Sequence, residues 1–344
     1  MARRWPLPGP PRFWVGLAVS AAFLYLAART VDWGRTATAL GAADAPLLCA
    51  GAAALVATLV VFAARWRVLL AGTARPGLGE AFSYVMIGYL TNTVMPLRLG
   101  DVARAALIAR RHGVAGPRVF AGILLERLLD LLVLLALLVG LSLEMQLPPL
   151  VRASAVVIGG GALAGLALLT VLALCQERVY GLVARLPGFV PRGPLMRAAA
   201  WVDQLAAGLR TLRDAGQLGQ VLALSLAAWT IAGAGAYCWV LAFHLVVPWY
   251  AGLFVLAVVN LGGAIPSSPG AIGVYHYLAV LALSVWVADP NTALAYAIGT
   301  HGINIVLNVA LGSACLGREG LSLRAAAGLP AYRSKAPMSG ALPV

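Results

Sequence analysis

The chain of 344 residues is 61% hydrophobic and only 11% charged, with a mean hydropathy of +0.89 and a formal net charge of +13. So apolar a composition excludes a soluble domain, and apolar runs take up nearly all of the length, which leaves no room for a separate soluble catalytic domain. The positive charge comes from arginine and reads as the cation excess of cytoplasmic loops, with no nucleic acid partner implied.

The first apolar run, 13–28, follows the basic start MARRWPLPGPPR and has no small-residue cleavage site before Arg29, so it reads as an uncleaved first span. A short linker leads to a second span at 45–64, closed by Arg65, Trp66 and Arg67, the composition of an interfacial anchor. The run at 81–95 is apolar but contains Asn92 and meets Pro96. A full crossing there would put Arg98, Arg104, Arg110, Arg111 and Arg118 on the side of Arg29 and Arg35, against the positive-inside bias. The segment is therefore expected to dip in, turn over 96–100 and return through a helix bearing Arg104. A third span at 119–143, an outer turn over 143–149 and a fourth span at 153–175 follow. In the connection 176–216, Leu195, Ala198, Val202, Leu205, Leu209 and Leu212 recur at steps of three and four, the period of an amphipathic helix on the cytoplasmic surface. The fifth span covers 218–248, two runs at 250–265 and 271–288 flank a Pro-Ser-Ser-Pro-Gly break, and the last span covers 291–316.

This arrangement places every basic residue on one side except Arg29, Arg35, Arg152 and the intramembrane Arg127, which predicts two cytoplasmic termini. The expected fold is all-α: a polytopic membrane helix bundle with about six full spans plus two broken or re-entrant helical elements, eight apolar segments in all, in the cytoplasmic (inner) cell membrane. Residues 1–317 are expected to form one transmembrane domain, and 318–344, with three prolines, a disordered cytoplasmic tail. Cys49, Cys175, Cys238 and Cys315 lie in or beside apolar runs without metal-ligand spacing and read as small hydrophobes. No Walker loop, Gly-x-Ser-x-Gly or dinucleotide fingerprint is present, so neither a cofactor nor an enzymatic activity is expected.

Two interruptions stand out. The first carries Asn92, Pro96, Arg98, Asp101 and Arg104 and runs on to Glu126, Arg127 and Asp130; the second carries Asn260, Pro266, Pro269, Gly270, Gly273 and His276. Each lies between two spans, and the two units so formed run in opposite directions, the trace of an inverted repeat whose breaks face each other. The similarity between the halves amounts to an Asn, a Pro and a Gly, so two unrelated helix kinks are the alternative. Broken helices persist at membrane depth only beside protein or water, and they aim unpaired backbone groups at whatever fills the cavity. Glu126 and Asp130 share a helix face, and Arg127 is next to them. Charges cost roughly 2.5–3.5 kcal/mol each at the centre of a span, so these face a cavity or a partner. They either contact a polar headgroup or coupling ion, or form a self-neutralising cluster with Arg98 or Arg104. His301, Asn304 and Asn308 make a polar stripe suited to interhelical hydrogen bonds or to lining a cavity.

RWRVLL at 65–70, N-x-x-x-P-x-R-x-G-D-x-x-R at 92–104, E-R-x-x-D at 126–130 and P-S-S-P-G-A-I-G-V at 266–274 together resemble the lysylphosphatidylglycerol synthase transmembrane family over about residues 12–318. The resemblance implies a flippase-like membrane domain. In the aminoacyl-lipid synthases such a domain precedes a cytoplasmic synthase domain; this chain reads as a stand-alone member, whose partners would be a phospholipid, a glycolipid or a polyprenyl-linked lipid, and a separate lipid-modifying enzyme. Family members usually carry Glu where Asp101 stands and near the position of His276, and the second difference removes an acid. The expected function is that of a lipid translocase, in which Arg98, Arg104 and Arg127 would engage a phosphate, while Glu126 and Asp130 would orient those arginines or bind a cationic headgroup.

Overall fold

The computed structural model describes residues 11–95, 99–184, 192–209, 214–263 and 267–322. Among them are twelve α-helices and no strand. In chain order they are α1 (Pro11–Ala28), α2 (Trp33–Gly41), α3 (Ala45–Leu70), α4 (Leu78–Val94), α5 (Leu99–His112), α6 (Gly116–Leu141), α7 (Pro149–Ala184), α8 (Arg192–Gly208), α9 (Ala215–Ala242), α10 (Ala251–Gly262), α11 (Val274–Leu283) and α12 (Pro290–Arg318). A 3-10 turn at Pro269–Ala271 stands between α10 and α11.

Among the described residues, four helices are long and apolar enough to cross a membrane: α3, the Pro149–Val171 part of α7, α9 and α12. A fifth span is available if α1 and α2, bent by 86° at their junction, count as one broken element. The protein is thus a polytopic, multi-pass membrane bundle. The linker expected after the first span contains α2, whose start is set by Asp32: its carboxylate accepts from the backbone N–H of Gly34 and Arg35. α6 is as long as α3, at 26 residues, but is interrupted by Glu126, Arg127 and Asp130.

The helices fall into two sets of six. In the first, α3 packs on α4, α4 on α5 and α5 on α6; in the second, α9 packs on α10, α10 on α11 and α11 on α12. The cross-contacts match too, with α4 against α12 and α10 against α6, and α2 against α12 and α8 against α6. At the centre α3 and α9 run antiparallel. The Trp239 indole N–H donates to the Leu48 carbonyl (3.1 Å) at one end, and Arg65 meets Ser225 (2.9 Å) towards the other. The two halves therefore point in opposite directions, which makes the set an inverted repeat in space. Its local chemistry repeats as well: Asp44 caps α3 by accepting from Leu47 N, and Asp214 caps α9 by accepting from Gln217 N, each three residues on. The peripheral helices depart from the pattern, since α1 packs on α11 whereas α7 packs on α6 and α8.

α4 and α5 form a tight antiparallel pair. A Cβ on Gly100 would run into the Gly88 carbonyl and the Asn92 side chain, so only glycine permits the approach. α10 and α11 have 12 and 10 residues, or ~18 and ~15 Å of helix against ~30 Å of hydrocarbon, so neither crosses alone. α8 packs on α6 and α7 with Ala206 and Leu209 buried, the packing use of the expected amphipathic helix. The tail from 323 onward lies outside the described residues.

Candidate functional site: a charged break facing a neutral one

Three helices of the first half and one of the second converge on a chain of alternating charges. It begins at Arg127 on α6, whose Nη2 and Nε donate to the two oxygens of Asp101 on α5 (2.8 and 3.3 Å). Asp101 also lies 3.3 Å from Arg104 Nη2, which donates to Glu126 Oε1 at 3.1 Å. Glu126 Oε1 is 3.5 Å from Arg65 Nη2, and Arg65 forks onto both oxygens of Asp130. From α9, Ser225 accepts from Arg65 Nη1 (2.9 Å) and the Trp229 indole N–H donates to Asp130 (3.0 Å). Arg65 also lies over the Phe62 ring at 4.7 Å, and Arg104 over Trp66 at 5.0 Å.

Three arginines face three carboxylates, so the cluster is neutral as a whole. Its exposure is graded: the side chains of Arg127 and Asp101 are 35% and 20% accessible, against 4% for Arg104 and 1% for Arg65. The open end lies against the first break, and the sealed end lies in the α3–α9 core. Pairing is incomplete. Arg65 Nε, Arg104 Nε, Glu126 Oε2 and Trp66 Nε1 are buried without a hydrogen-bond partner among the described residues. Each such group is costly in a dry interior unless a ligand or water meets it.

Arg65 corrects the sequence reading. Expected as part of an interfacial anchor with Trp66 and Arg67, it is buried, as is Trp66. The reason is that α3 continues to Leu70, so Arg65 lies more than a turn inside the helix. Neighbours two apart project to nearly opposite helix faces, and only Arg67 reaches the surface. The apolar Val68–Leu70 run beyond Arg67 was the available signal.

The second break is built without charge. Gly270 (φ 68°), Ala271 (φ 54°) and Gly273 (φ 91°) turn the chain between α10 and α11, and Ala271 pays for a left-handed conformation that disfavours a side chain. α1 holds this turn through Ser20, whose Oγ accepts from Ser268 N at 2.8 Å. His276 Nδ1 accepts from Gly273 N at 3.3 Å. Tyr275 hydrogen-bonds Thr300 (3.0 Å) and stacks on His301 at 4.2 Å, and the His276 and His301 rings stand 5.0 Å apart. Across the bundle, a Cβ on Gly270 would lie 3.6 Å from the Thr93 carbonyl at the end of α4, so the two breaks do face each other.

The repeat puts unlike chemistry in like places. Asp101 is the third residue of α5 and His276 the third of α11; Arg127 is the twelfth of α6 and His301 the twelfth of α12. The Arg127–Asp101 ion pair of one half is thus a His301–His276 contact in the other. Asn92 and Asn260 also correspond, each two residues before the end of its helix, and they behave differently. Asn92 accepts from Gly100 N (2.8 Å) and ties the hairpin, while Asn260 is exposed and bonded to its own helix at Leu256. Asn304 and Asn308 bond each other within α12 (2.7 Å) rather than a neighbouring helix. Pro96, Arg98 and Pro266 lie outside the described residues, and Pro269 and Gly270 form the turn itself. Among the described residues no group of three or more His, Cys, Asp or Glu side chains is placed to hold a metal.

The lysylphosphatidylglycerol synthase TM region, as a family model, matches residues 13–312. The chain belongs to that family. Among curated proteins it is similar to the glycosyltransferase AglD of Haloferax volcanii, 26% identical over 329 residues, covering 86% of this chain and 52% of that protein. The chain thus spans about half the length of this relative. No solved structure matches it.

Proposed function

We propose that this protein lets the polar headgroup of a lipid or lipid-linked intermediate pass between membrane leaflets, along a path between the two facing breaks. The supporting observation is the graded chain of charges from part-exposed Arg127 to sealed Arg65, with unpaired polar atoms along it. Unassisted lipid exchange is slow because the headgroup must shed water in hydrocarbon. A set of preformed donors lowers that barrier. Arg127 and Arg104, with Arg98 beside the break, would take the phosphate, since a guanidinium grips phosphate bidentately. Asp101, Glu126 and Asp130 hold those arginines in place and would balance a cationic headgroup.

In this reading the chain catalyses no bond-making step and works in the cytoplasmic membrane with both termini inside. Its cargo is a phospholipid, glycolipid or polyprenyl-linked lipid. A relative named as a glycosyltransferase fits a domain that serves a lipid-modifying enzyme. The test uses purified protein in liposomes carrying labelled anionic lipid or polyprenyl phosphate. Label should become accessible to an outside quencher faster than in empty liposomes, and Arg127→Gln should slow it. If no lipid class moves under any ion gradient while a soluble solute is taken up, a solute transporter replaces this reading.

A further inference from the structure

A second cleft lies away from the ion-pair chain. It lies on another side of the α3–α9 pair, where Ala64, Arg67, Val68 and Ala71 form one stripe along α3 and Gln217, Gln220 and Leu224 form another along α9. Both stripes keep helical spacing, so each presents one face to the gap. Small residues on α3 leave about 660 Å³ between the helices, in the range of small-ligand sites, about 300–1,000 Å³. Arg75 and Pro76 close the end beyond α3.

Its electrostatics are the reverse of the charge chain two residues away. Arg65 pairs with Asp130 and Glu126, whereas neither Arg67 nor Arg75 has a carboxylate partner among the described residues. Arg67 is held by its Nε, which donates to the Pro76 carbonyl at 3.1 Å, so the guanidinium stays at the cleft with no carboxylate of the described residues in ion-pair range. Gln217 and Gln220 add amide donors beside it, in the first two turns of α9 after its Asp214 cap. The cleft adjoins an apolar surface: Val60, one turn before Ala64 on the same face of α3, is a large exposed hydrophobic, and Leu224 lines the cleft on α9. The held Arg67, the exposed Arg75 and the amide donors next to an apolar wall match an amphiphile with an anionic head better than a free anion.

We propose that this cleft is a binding site for an anionic phospholipid, with Arg67 and Arg75 on the phosphate, Gln217 and Gln220 on the remaining headgroup oxygens, and the acyl chains along Val60, Val68 and Leu224. The site is separate from the ion-pair chain, and it stands whether or not the chain moves lipid. The experiment is a binding titration of the purified full chain in detergent, with short-chain phosphatidylglycerol, phosphatidylcholine and inorganic phosphate as three probes. Phosphatidylglycerol should bind saturably and at least tenfold more tightly than phosphatidylcholine, with millimolar phosphate failing to displace it. Arg67→Gln with Arg75→Gln should weaken it tenfold or more at unchanged thermal unfolding. Should that double variant misfold, Gln220→Glu keeps the shape, places a negative charge in the cleft and should weaken binding alike. Undiminished binding in the folded variants overturns the proposal, and displacement by phosphate assigns the cleft to a soluble anion instead. Because the readout is binding, a failed flipping assay leaves this result intact, and the converse also holds.

Discussion

The two breaks occupy equivalent places in an inverted repeat and solve the same problem with opposite chemistry. At the first, a polar interruption is stabilised by arginine–carboxylate pairs that reach from α5 and α6 into α3 and α9. At the second, the turn is held by a serine from α1, by positive-φ backbone and by stacked neutral rings. Charge pairs are long-ranged and tolerate a ligand among them, whereas a ring stack is short-ranged and fixes shape. On the proposed function, the first break would be the side that handles charge and the second its scaffold.

That division is open to attack by substitution, most forcefully at the sealed end. Arg65→Met leaves Asp130 buried without its cation and Glu126 with Arg104 alone, and breaking a buried pair costs about 3–5 kcal/mol. A large drop in thermal stability in detergent is expected, with substantial recovery in the Arg65→Met/Asp130→Leu double variant. A next test imposes the first half's chemistry on the second. His301→Arg alone puts an unpaired cation in a span, an expected loss of roughly 2.5–3.5 kcal/mol. Adding His276→Asp rebuilds the pair found at Arg127 and Asp101, and unfolding measurements should show rescue. No rescue would mean that the two positions are not spatially equivalent.

At the open end the effect should move from stability to function. Arg127→Gln removes a half-exposed partner, so unfolding should shift by less than about 1 kcal/mol. Lipid movement in liposomes should nonetheless slow about tenfold, the loss of one charge-assisted contact. Equal losses of stability and transport would make the ion pair purely structural. The smallest effect concerns the start of α12. Asp289 accepts from Thr292 and Asn291, which holds its carboxyl below the usual carboxylate range. A depressed value means the cap stabilises fully above about pH 4 and fades as pH falls through the folded-state value. Asp289→Ala should cost about 1 kcal/mol at neutral pH, and the difference from the native chain should vanish in acid.

Composition and periodicity were enough to show a membrane bundle, the broken hairpin after Asn92, the proline–glycine break near Pro269, and the suspicion that Glu126, Arg127 and Asp130 needed partners, because hydrocarbon forbids unpaired charge and irregular backbone alike. Local pattern stops at the helix surface. It showed Arg65, Trp66 and Arg67 as three consecutive amphipathic residues, and only the antiparallel packing of α3 on α9 decided that Arg65 turns inward to Asp130 while Arg67 faces a cleft. Likewise His276 and His301 are isolated letters 25 positions apart until α11 folds back on α12 and sets their rings side by side. Partner choice among buried polar groups depends on distances across the bundle, and those are fixed by which helices touch, a quantity that no single helix encodes.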